Sequence, residues 1–299
     1  MGGSASSWRF DAIGTVWEVV TVEPLPEPAR DRVRGRIEAF DRTWSRFRKD
    51  SVVTRLARAG GEVPLPDDAG PMLDALAAVW EATDGAVNPL VGRSLEALGY
   101  DARYSLVDRG AVAAPPDWRR LLAWDDERLM LSSAATIDVG ALGKGRLVDI
   151  VLDVVCDETA GDVTVDAGGD LAVRGTPQRI GLEHPFDPRR AIGVWEVTDA
   201  ALCASAVTRR AWPSATGTTL HHVLDARTGQ PVRTIAATWA VARDAMTADA
   251  VATALFFDGG PRLAHERGVE WVRMTTDGRA EWSPGCSAEL FLRTDNVDW

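Results

Sequence analysis

Two nearby stretches carry most of the fold information: DVGALGKGRLVD, residues 138–149, and VTVDAGGDLAVRG, residues 163–175. The first is a glycine-rich turn that leads into an apolar-spaced segment, and this pattern predicts a helix over 144–158. The second is a strand, a Gly-Gly turn and another strand, which predicts a hairpin.

The flanking sequence mixes the same two kinds of element. Further helices are predicted at 29–46, 70–83 and 245–257, and further strands within 8–20, 193–207, 219–225 and 234–242, with strand pairs over the last forty residues. Because no regular strand–helix–strand repeat appears, an α+β fold is favoured, with mixed or antiparallel sheets and packed helices. A chain of 299 residues suits one domain over residues 1–299, or two intimate lobes.

Composition excludes several classes of protein. The net charge of −11 and the isoelectric point near 4.9 argue against nucleic acid as a partner. The three cysteines form no CxxC pair, so neither a disulfide framework nor a zinc site is indicated. With no signal peptide visible and no run of about 18 apolar residues, a cytoplasmic location and no membrane span are expected.

The GKG at 143–145 does not form a Walker phosphate loop. Asp138 stands where that loop needs glycine, and Gly145 stands where it needs serine or threonine. What remains is a helix N-terminus with Lys144 in its first turn, suited to a phosphate or an adenine edge, or simply a helix start. Gly168-Gly169 is likewise either a hairpin turn or a close approach to a ligand.

Two further segments carry candidate chemistry. In LHHVLDARTGQPV (220–232), period-two alternation points His221 and His222 to opposite faces, so that one can face a site and the other solvent. In the 245–257 helix, Asp249 and Thr253 share one face and form a plausible partial shell for Mg²⁺. Each pattern has a structural alternative: strand histidines that pack, and a helix-dipole aspartate beside a back-bonded threonine.

Taken together and in this order, the segments resemble the ApbE family of flavin transferases over roughly residues 10–260. The resemblance is carried by AIGTVWEVV, FDRTWSRFRKDSVVTRL, TDGAVNPLVG, IDVGALGKGRLVD, VTVDAGGDLAVRG, ALCASAVTRR, LHHVLDARTGQPV and DAMTADAVATALF. It implies an ApbE-like, T-fold-like catalytic domain that moves FMN from FAD to a Thr or Ser hydroxyl of an acceptor flavoprotein and releases AMP. Mg²⁺, with Mn²⁺ as the alternative, is the implied metal.

The resemblance also implies roles for particular residues. The metal would be held by the side chains of Asp249 and Thr253 and by the backbone carbonyl of Leu147. His222 would activate the acceptor hydroxyl, with Asp225 supporting it or the loop. The residues implied for FAD are Phe47, Ala86, Val87, Asn88, Lys144, Asp149, Gly168, Gly169, Asp170, Thr228 and Gly229.

Some positions depart from the family pattern, and two other functions stay open. Ile13 replaces a methionine, Phe47 a frequent tyrosine, Asn88 an aspartate, Arg146 a tyrosine and Ala226 a proline. These changes leave room for altered affinity or a different acceptor. The alternatives are an FAD pyrophosphatase, in which water replaces the acceptor hydroxyl, and a non-catalytic FAD-binding protein.

Overall fold

The computed structural model describes residues 5–214 and 217–291. The helices are α1 Glu27–Trp44, α2 Val52–Ala59, α3 Ala69–Ala82, α4 Gly92–Ala97, α5 Trp118–Leu121, α6 Gly143–Cys156, α7 Ala245–Ala254 and α8 Gly260–Glu266. The first strands are β1 Ser6–Ala12, β2 Thr15–Thr21, β3 Gly61–Pro64, β4 Leu122–Trp124, β5 Arg128–Leu131, β6 Val163–Asp166, β7 Asp170–Arg174, β8 Gln178–Glu183 and β9 Ala191–Val197. They are followed by β10 Ala201–Ala206, β11 Ala211–Pro213, β12 Thr219–His221, β13 Leu224–Asp225, β14 Gln230–Pro231, β15 Ile235–Ala242, β16 Glu270–Thr275, β17 Ala280–Trp282 and β18 Glu289–Leu290.

An eight-stranded sheet forms the centre of the fold. Its strand order is β1-β2-β6-β7-β10-β15-β16-β17, and every strand pair within the described ranges is antiparallel. The predicted β6–β7 hairpin lies near its middle, with Asp166 paired to Leu171. The α+β class and the antiparallel sheet predicted from the sequence are confirmed.

The two faces of this sheet are covered differently. On one face α1, α6 and α7 pack over the main core, and on the other the small sheet β18-β9-β8 covers a second core. Successive side chains of strand β7 point to opposite faces of the sheet and so contribute to both cores. Ala172 joins the core under the helices, whereas Leu171 and Val173 join the core under the small sheet. Because the strand is buried on both faces, its central residues are apolar on both sides, and only its end residues Asp170 and Arg174 are charged.

Helices α6 and α7 are packed unusually closely. A Cβ built on Gly145 would lie 2.1 Å from the Ala245 carbonyl oxygen and 2.8 Å from Asp249 Cβ. Alanines dominate the buried surface of α7, so little side-chain volume separates it from its neighbours. The Asp149 carboxylate accepts hydrogen bonds from the Ala245 and Met246 N–H groups, at 2.7 and 2.9 Å, and so caps α7 from α6.

The structure differs from the sequence predictions in the C-terminal third. The last forty residues contain helix α8 besides strands, and α7 ends at Ala254 rather than continuing to residue 257. Residues 255–259 turn sharply, and a Cβ on Gly259 would lie 1.6 Å from the Ala82 carbonyl oxygen, so the chain passes directly against the end of α3. The 219–225 strand is split into β12 and β13, which leaves His222 between strands. Helices α2, α4 and α5 were not predicted.

Replacing Gly145 with alanine should destabilise the protein, because the new methyl group has no space between the α6 and α7 backbones. The expected loss of unfolding free energy is about 1–3 kcal/mol, the usual cost of overpacking. Gly35→Ala is the matched control: Gly35 is exposed on α1, with no atom within 4 Å of a built Cβ. The Gly35→Ala substitution should raise the free energy of unfolding by about 0.5–1 kcal/mol. Urea unfolding of both variants measures the difference, and equal stabilities would contradict the close-packing argument.

Candidate functional site

A continuous cleft runs along the carboxyl end of β6 and the N-terminus of α6. It consists of three adjoining cavities of about 150, 320 and 640 Å³. Gly140 and Arg210 line all three, so the cavities are parts of one space. A helix N-terminus and a glycine turn at the wall of a cleft suit a phosphate-bearing ligand.

The deepest part of the cleft holds a lysine between two buried carboxylates. Lys144 Nζ lies 2.8 Å from Asp170 Oδ2. Asp170 is fully buried and Asp249 nearly so, and Asp249 Oδ2 accepts a hydrogen bond of 3.0 Å from the Gly145 N–H. Three elements supply these residues: the first turn of α6, the start of β7 and the middle of α7.

Burial and like charge shift the pKa values in this cluster. Burial, reinforced by the neighbouring Asp170 carboxylate, raises the pKa of Asp249 to about 8. Burial alone would lower the pKa of Lys144, but Asp170 and Asp249 outweigh it and raise that pKa above its ordinary value. The single lysine balances one carboxylate, Asp170, and the raised pKa of Asp249 means that the second carboxyl group stays largely protonated at neutral pH unless another positive charge is present.

The donor set around this cluster fits a divalent cation. Asp170 Oδ1 is buried without a hydrogen-bond partner among the described residues, and Thr253 Oγ1 donates to the Ala141 carbonyl oxygen at 3.1 Å. Within the described ranges no three His, Cys, Asp or Glu side chains form a metal cage. Mg²⁺ needs no such cage, because it binds through one or two carboxylates and completes its shell with water and ligand phosphates.

Two of the predicted residues occupy structural positions in α6. Leu147 is completely buried in the second turn, where carbonyl groups are used by the helical ladder. The Ala141 carbonyl, in the loop before α6, is instead the one that meets the Thr253 hydroxyl. Both Asp149 carboxylate oxygens are taken by the cap of α7, so this residue positions the helix that carries Asp249.

The predicted glycine turn lies at the wall of the largest cavity. Gly168 has φ of +68°, and a Cβ there would lie 2.2 Å from Thr15 Oγ1. Gly169 has φ of +109° with nothing within 4 Å of a built Cβ. The first glycine is therefore required by packing against β2, and the second leaves space in the cleft.

The smallest cavity is lined by four of the predicted ligand residues, Phe47, Ala86, Val87 and Asn88. Phe47 stacks on Tyr104, with ring centroids 5.2 Å apart and planes 8° from parallel. The Asn88 side chain is already engaged: Nδ2 donates to the Pro115 carbonyl and Oδ1 accepts from the Leu90 N–H. Its contribution is to shape the wall rather than to offer a free amide.

His222 faces the cleft and lines both the smallest and the largest cavity. Its Nδ1 is buried without a hydrogen-bond partner among the described residues. Burial, with the Arg210 charge second, lowers the pKa of His222 to about 3. The prediction that the neighbouring histidine faces solvent is wrong: His221 is buried and its Nε2 pairs with the Val232 carbonyl at 2.9 Å.

The turn after β13 lies outside this cleft. Asp225 is held in a two-pronged ion pair by Arg227, and no hydrogen bond joins it to His222 in the described part of the chain. Thr228 lines a separate cavity of about 520 Å³, and Gly229, with φ of +70°, packs against the residue 112 backbone. Asp225, Thr228 and Gly229 therefore do not line the three cavities of the cleft, although their turn is joined to its wall by a 2.8 Å hydrogen bond from the Ala226 N–H to the Ala86 carbonyl.

Among the cleft residues that sequence reasoning missed are Arg46, Ala141 and Arg210. The segments WSRFRKDS and ALCASAVTRR each contain two arginines, and nothing in the pattern shows which of the two lines all or most of the cleft. A backbone carbonyl such as that of Ala141 has no sequence signal at all. These assignments required the coordinates.

Fold and cleft together define an α+β protein with an elongated cleft, in which an apolar, ring-lined pocket lies beside a buried acidic cluster, and such a cleft is typical of a small-molecule site. The ApbE family model matches residues 13–275, and the chain belongs to the ApbE family. A Rhodobacter capsulatus protein named FAD:protein FMN transferase is 28% identical over 230 residues, 70% of this chain and 42% of its own length. The chain thus spans less than half of that relative. A Klebsiella pneumoniae (strain 342) protein of the same name is 24% identical over 298 residues, which cover 89% of this chain and 83% of its own length.

Solved structures agree on the fold. The ApbE protein of Thermotoga maritima superposes with a TM-score of 0.81 at 24% identity, over 94% of this chain and 97% of its own. The apo form of the Pseudomonas stutzeri flavinyl transferase ApbE superposes with a TM-score of 0.79 at 23% identity, over 94% of this chain and 95% of its own. The ApbE-like architecture predicted from the sequence is confirmed. No helix in the described ranges has the length and apolarity to cross a membrane.

His222 should remain neutral across the physiological range. Because burial and Arg210 disfavour the imidazolium, its ring signals should show no titration between pH 8 and pH 5, instead of a midpoint near the ordinary ~6.5. NMR of the histidine ring carbons, assigned with His222→Gln, measures this. A bound diphosphate should move the midpoint upward, since negative charge stabilises imidazolium. A midpoint near 6.5 in the ligand-free protein would contradict the burial argument.

Proposed function

We propose that this protein is a Mg²⁺-dependent FAD:protein FMN transferase, with Mn²⁺ as the alternative metal. It transfers FMN from FAD to a Thr or Ser hydroxyl of an acceptor flavoprotein and releases AMP. The observation that carries the proposal is the junction, in one cleft, of a ring-lined pocket with the Lys144–Asp170–Asp249 cluster. We assign the activity to one catalytic domain over residues 1–299, with the two-lobe arrangement as its variant, and to the cytoplasm.

The proposed metal ligands are the side chains of Asp249 and Thr253 and the Ala141 carbonyl, which replaces Leu147 in this role. The proposal is supported by the 3.1 Å contact between Thr253 Oγ1 and the Ala141 oxygen and by the second carboxyl group of the cluster. When bound, the metal would neutralise the FAD diphosphate and stabilise the departing AMP. Lys144, held by Asp170, would supply a fixed positive charge beside it.

The remaining assignments follow the walls of the cleft. Phe47, Ala86 and Val87 would contact one ring of FAD, with Asn88 shaping the same wall. The Gly168–Gly169 turn would border the largest cavity, and Asp149 would act by holding α7. Thr228 and Gly229 keep only a structural role in this proposal, because their turn lies in another cavity.

The proposed chemistry is a single displacement at phosphorus. The acceptor oxygen forms a bond to the FMN phosphorus, the bond between that phosphorus and the AMP oxygen breaks, and AMP leaves with the bond's electron pair. The hydroxyl proton goes to the neutral imidazole of His222. Asp225 does not support His222 here, because Arg227 holds both of its carboxylate oxygens.

Two other functions use the same cleft. An FAD pyrophosphatase would replace the acceptor hydroxyl with water, and a non-catalytic binder would hold FAD unchanged. The metal-compatible acidic cluster argues against the binder, since flavin binding alone requires no cation at the diphosphate.

An assay with FAD and MgCl₂, with and without a candidate acceptor flavoprotein, separates the three functions. The transferase should release AMP only when the acceptor is present, and mass spectrometry should find the mass of FMN added to the acceptor. AMP and FMN without acceptor would identify a pyrophosphatase. If FAD binds but is not cleaved in either assay, the protein is a non-catalytic FAD-binding protein.

Asp249→Asn should slow AMP release by at least about 10²-fold, roughly 3 kcal/mol of lost electrostatic stabilisation. The substitution keeps the size of the side chain and an oxygen for the Gly145 N–H, so the fold should survive. Asp153→Asn, on an exposed position of α6, is the matched control and should react at the normal rate. A thermal melt accompanies both rates. Normal turnover by folded Asp249→Asn would show that the metal lies elsewhere.

A further inference from the structure

Arg46 is a buried arginine with nearly all of its contacts inside the protein. It follows α1 and is 5% exposed. Its Nε donates to Asp138 Oδ2 and its Nη1 to the Tyr100 carbonyl, both at 2.6 Å. The guanidinium also lies over two rings, 4.2 Å from the centroid of Phe47 and 4.9 Å from that of Tyr100. Its position is therefore fixed before any ligand arrives.

One nitrogen of this fixed group has no partner. Arg46 Nη2 is buried and makes no hydrogen bond to any described residue. Buried donors are nearly always paired in folded proteins, so an orphaned one on a residue that lines a cavity needs an explanation. Arg46 lines both the 150 Å³ and the 320 Å³ cavity.

The surroundings of Arg46 indicate which kind of hydrogen-bond acceptor would suit its unpaired nitrogen. The smaller cavity is mostly apolar, with Leu76, Val91 and Leu95 among its walls, and Phe47 stands at its edge. Asp138 already neutralises the guanidinium charge. A spare N–H on a charge-neutralised side chain that borders an apolar pocket suits an uncharged acceptor atom on a flat ring better than a phosphate, whose charge would be costly to bury.

We propose that Arg46 is a specificity-determining residue that binds the acceptor edge of one heteroaromatic ring of FAD. The inference rests on the proposed function, because FAD supplies the ring. Two rings share this chemistry, the purine and the isoalloxazine, and each has acceptor atoms on its edge. Asp138 also accepts a hydrogen bond from the Gly140 N–H at 2.7 Å, so Arg46 ties the ring pocket to the loop that contains Ala141.

Isothermal titration calorimetry with FAD, FMN and ADP, each with MgCl₂, tests the proposal on three variants. Arg46→Met removes every donor, and Arg46→Lys keeps a positive charge for Asp138 but loses the fork that carries Nη2. Arg273→Met is the matched control. Arg273 also binds a carboxylate through Nε and a carbonyl through Nη1 and lies over a tryptophan, yet it lines none of the three cavities.

Both Arg46 variants should bind FAD about tenfold more weakly, equivalent to about 1.4 kcal/mol, and the control should bind it normally. The affinity for either FMN or ADP should fall by the same factor, while the affinity for the other stays within about twofold of the wild-type value. A loss for FMN identifies the isoalloxazine as the bound ring, and a loss for ADP identifies the purine. Unchanged FAD affinity, equal losses for FMN and ADP, or loss of the fold in both Arg46 variants would overturn the proposal. Failure of the wild-type protein to bind FAD would overturn the proposed function itself.

Discussion

The close contact between α6 and α7 is the constraint on which the rest of the site depends. The Gly145 backbone meets the Ala245 carbonyl and the Asp249 side chain without any intervening side chain. Asp149 holds the start of α7, and the Gly145 N–H donates to the Asp249 carboxylate. Gly145 and Asp249 are 104 positions apart in the sequence, yet their two helices act as one rigid support. A small displacement of one helix would therefore move the lysine and the carboxylate together. Preorganised charge of this kind loses little energy to rearrangement during a reaction.

The loop before α6 connects this support to the other wall of the cleft. Asp138 joins it to Arg46, and the Ala141 carbonyl joins it to Thr253 on α7. Each link crosses between segments far apart in the chain, so the loop holds its shape through tertiary contacts rather than through its own sequence. This explains why the Walker pattern can fail here while the helix N-terminus still faces a cavity: the loop is shaped by Arg46, which follows α1, and by Thr253 on α7.

Local patterns were sufficient for most of the fold and for part of the site. The β6–β7 hairpin and helices α1, α3 and α6 follow directly from turn residues and periodicity. Short helices such as α5 have too few turns to show a period. In the site, Lys144 and Asp249 stand in patterned segments, and the structure brings them together. Asp225 was predicted beside His222 because the two are near in sequence, but the chain breaks its strand at residue 222 and Arg227 takes the carboxylate. The position of the Arg46 guanidinium depends on two partners far away in the sequence, Asp138 and Tyr100, so no local pattern predicts its unpaired nitrogen.

Charge pairing in the cleft decides how an acidic protein would accept the diphosphate of the proposed substrate. Three of the cleft's arginines, Arg46, Arg48 and Arg209, are already paired with carboxylates, and Lys144 is paired with Asp170. Arg210 contacts the Tyr100 hydroxyl and forms no ion pair within the described ranges. Paired charges attract an incoming anion weakly, and one exposed arginine is too little for a diphosphate against a net charge of −11. In the proposed function, a divalent cation would displace the proton from Asp249 and supply the missing positive charge next to the phosphates. The carboxylates that seem to oppose an anionic ligand would then make its binding dependent on the metal.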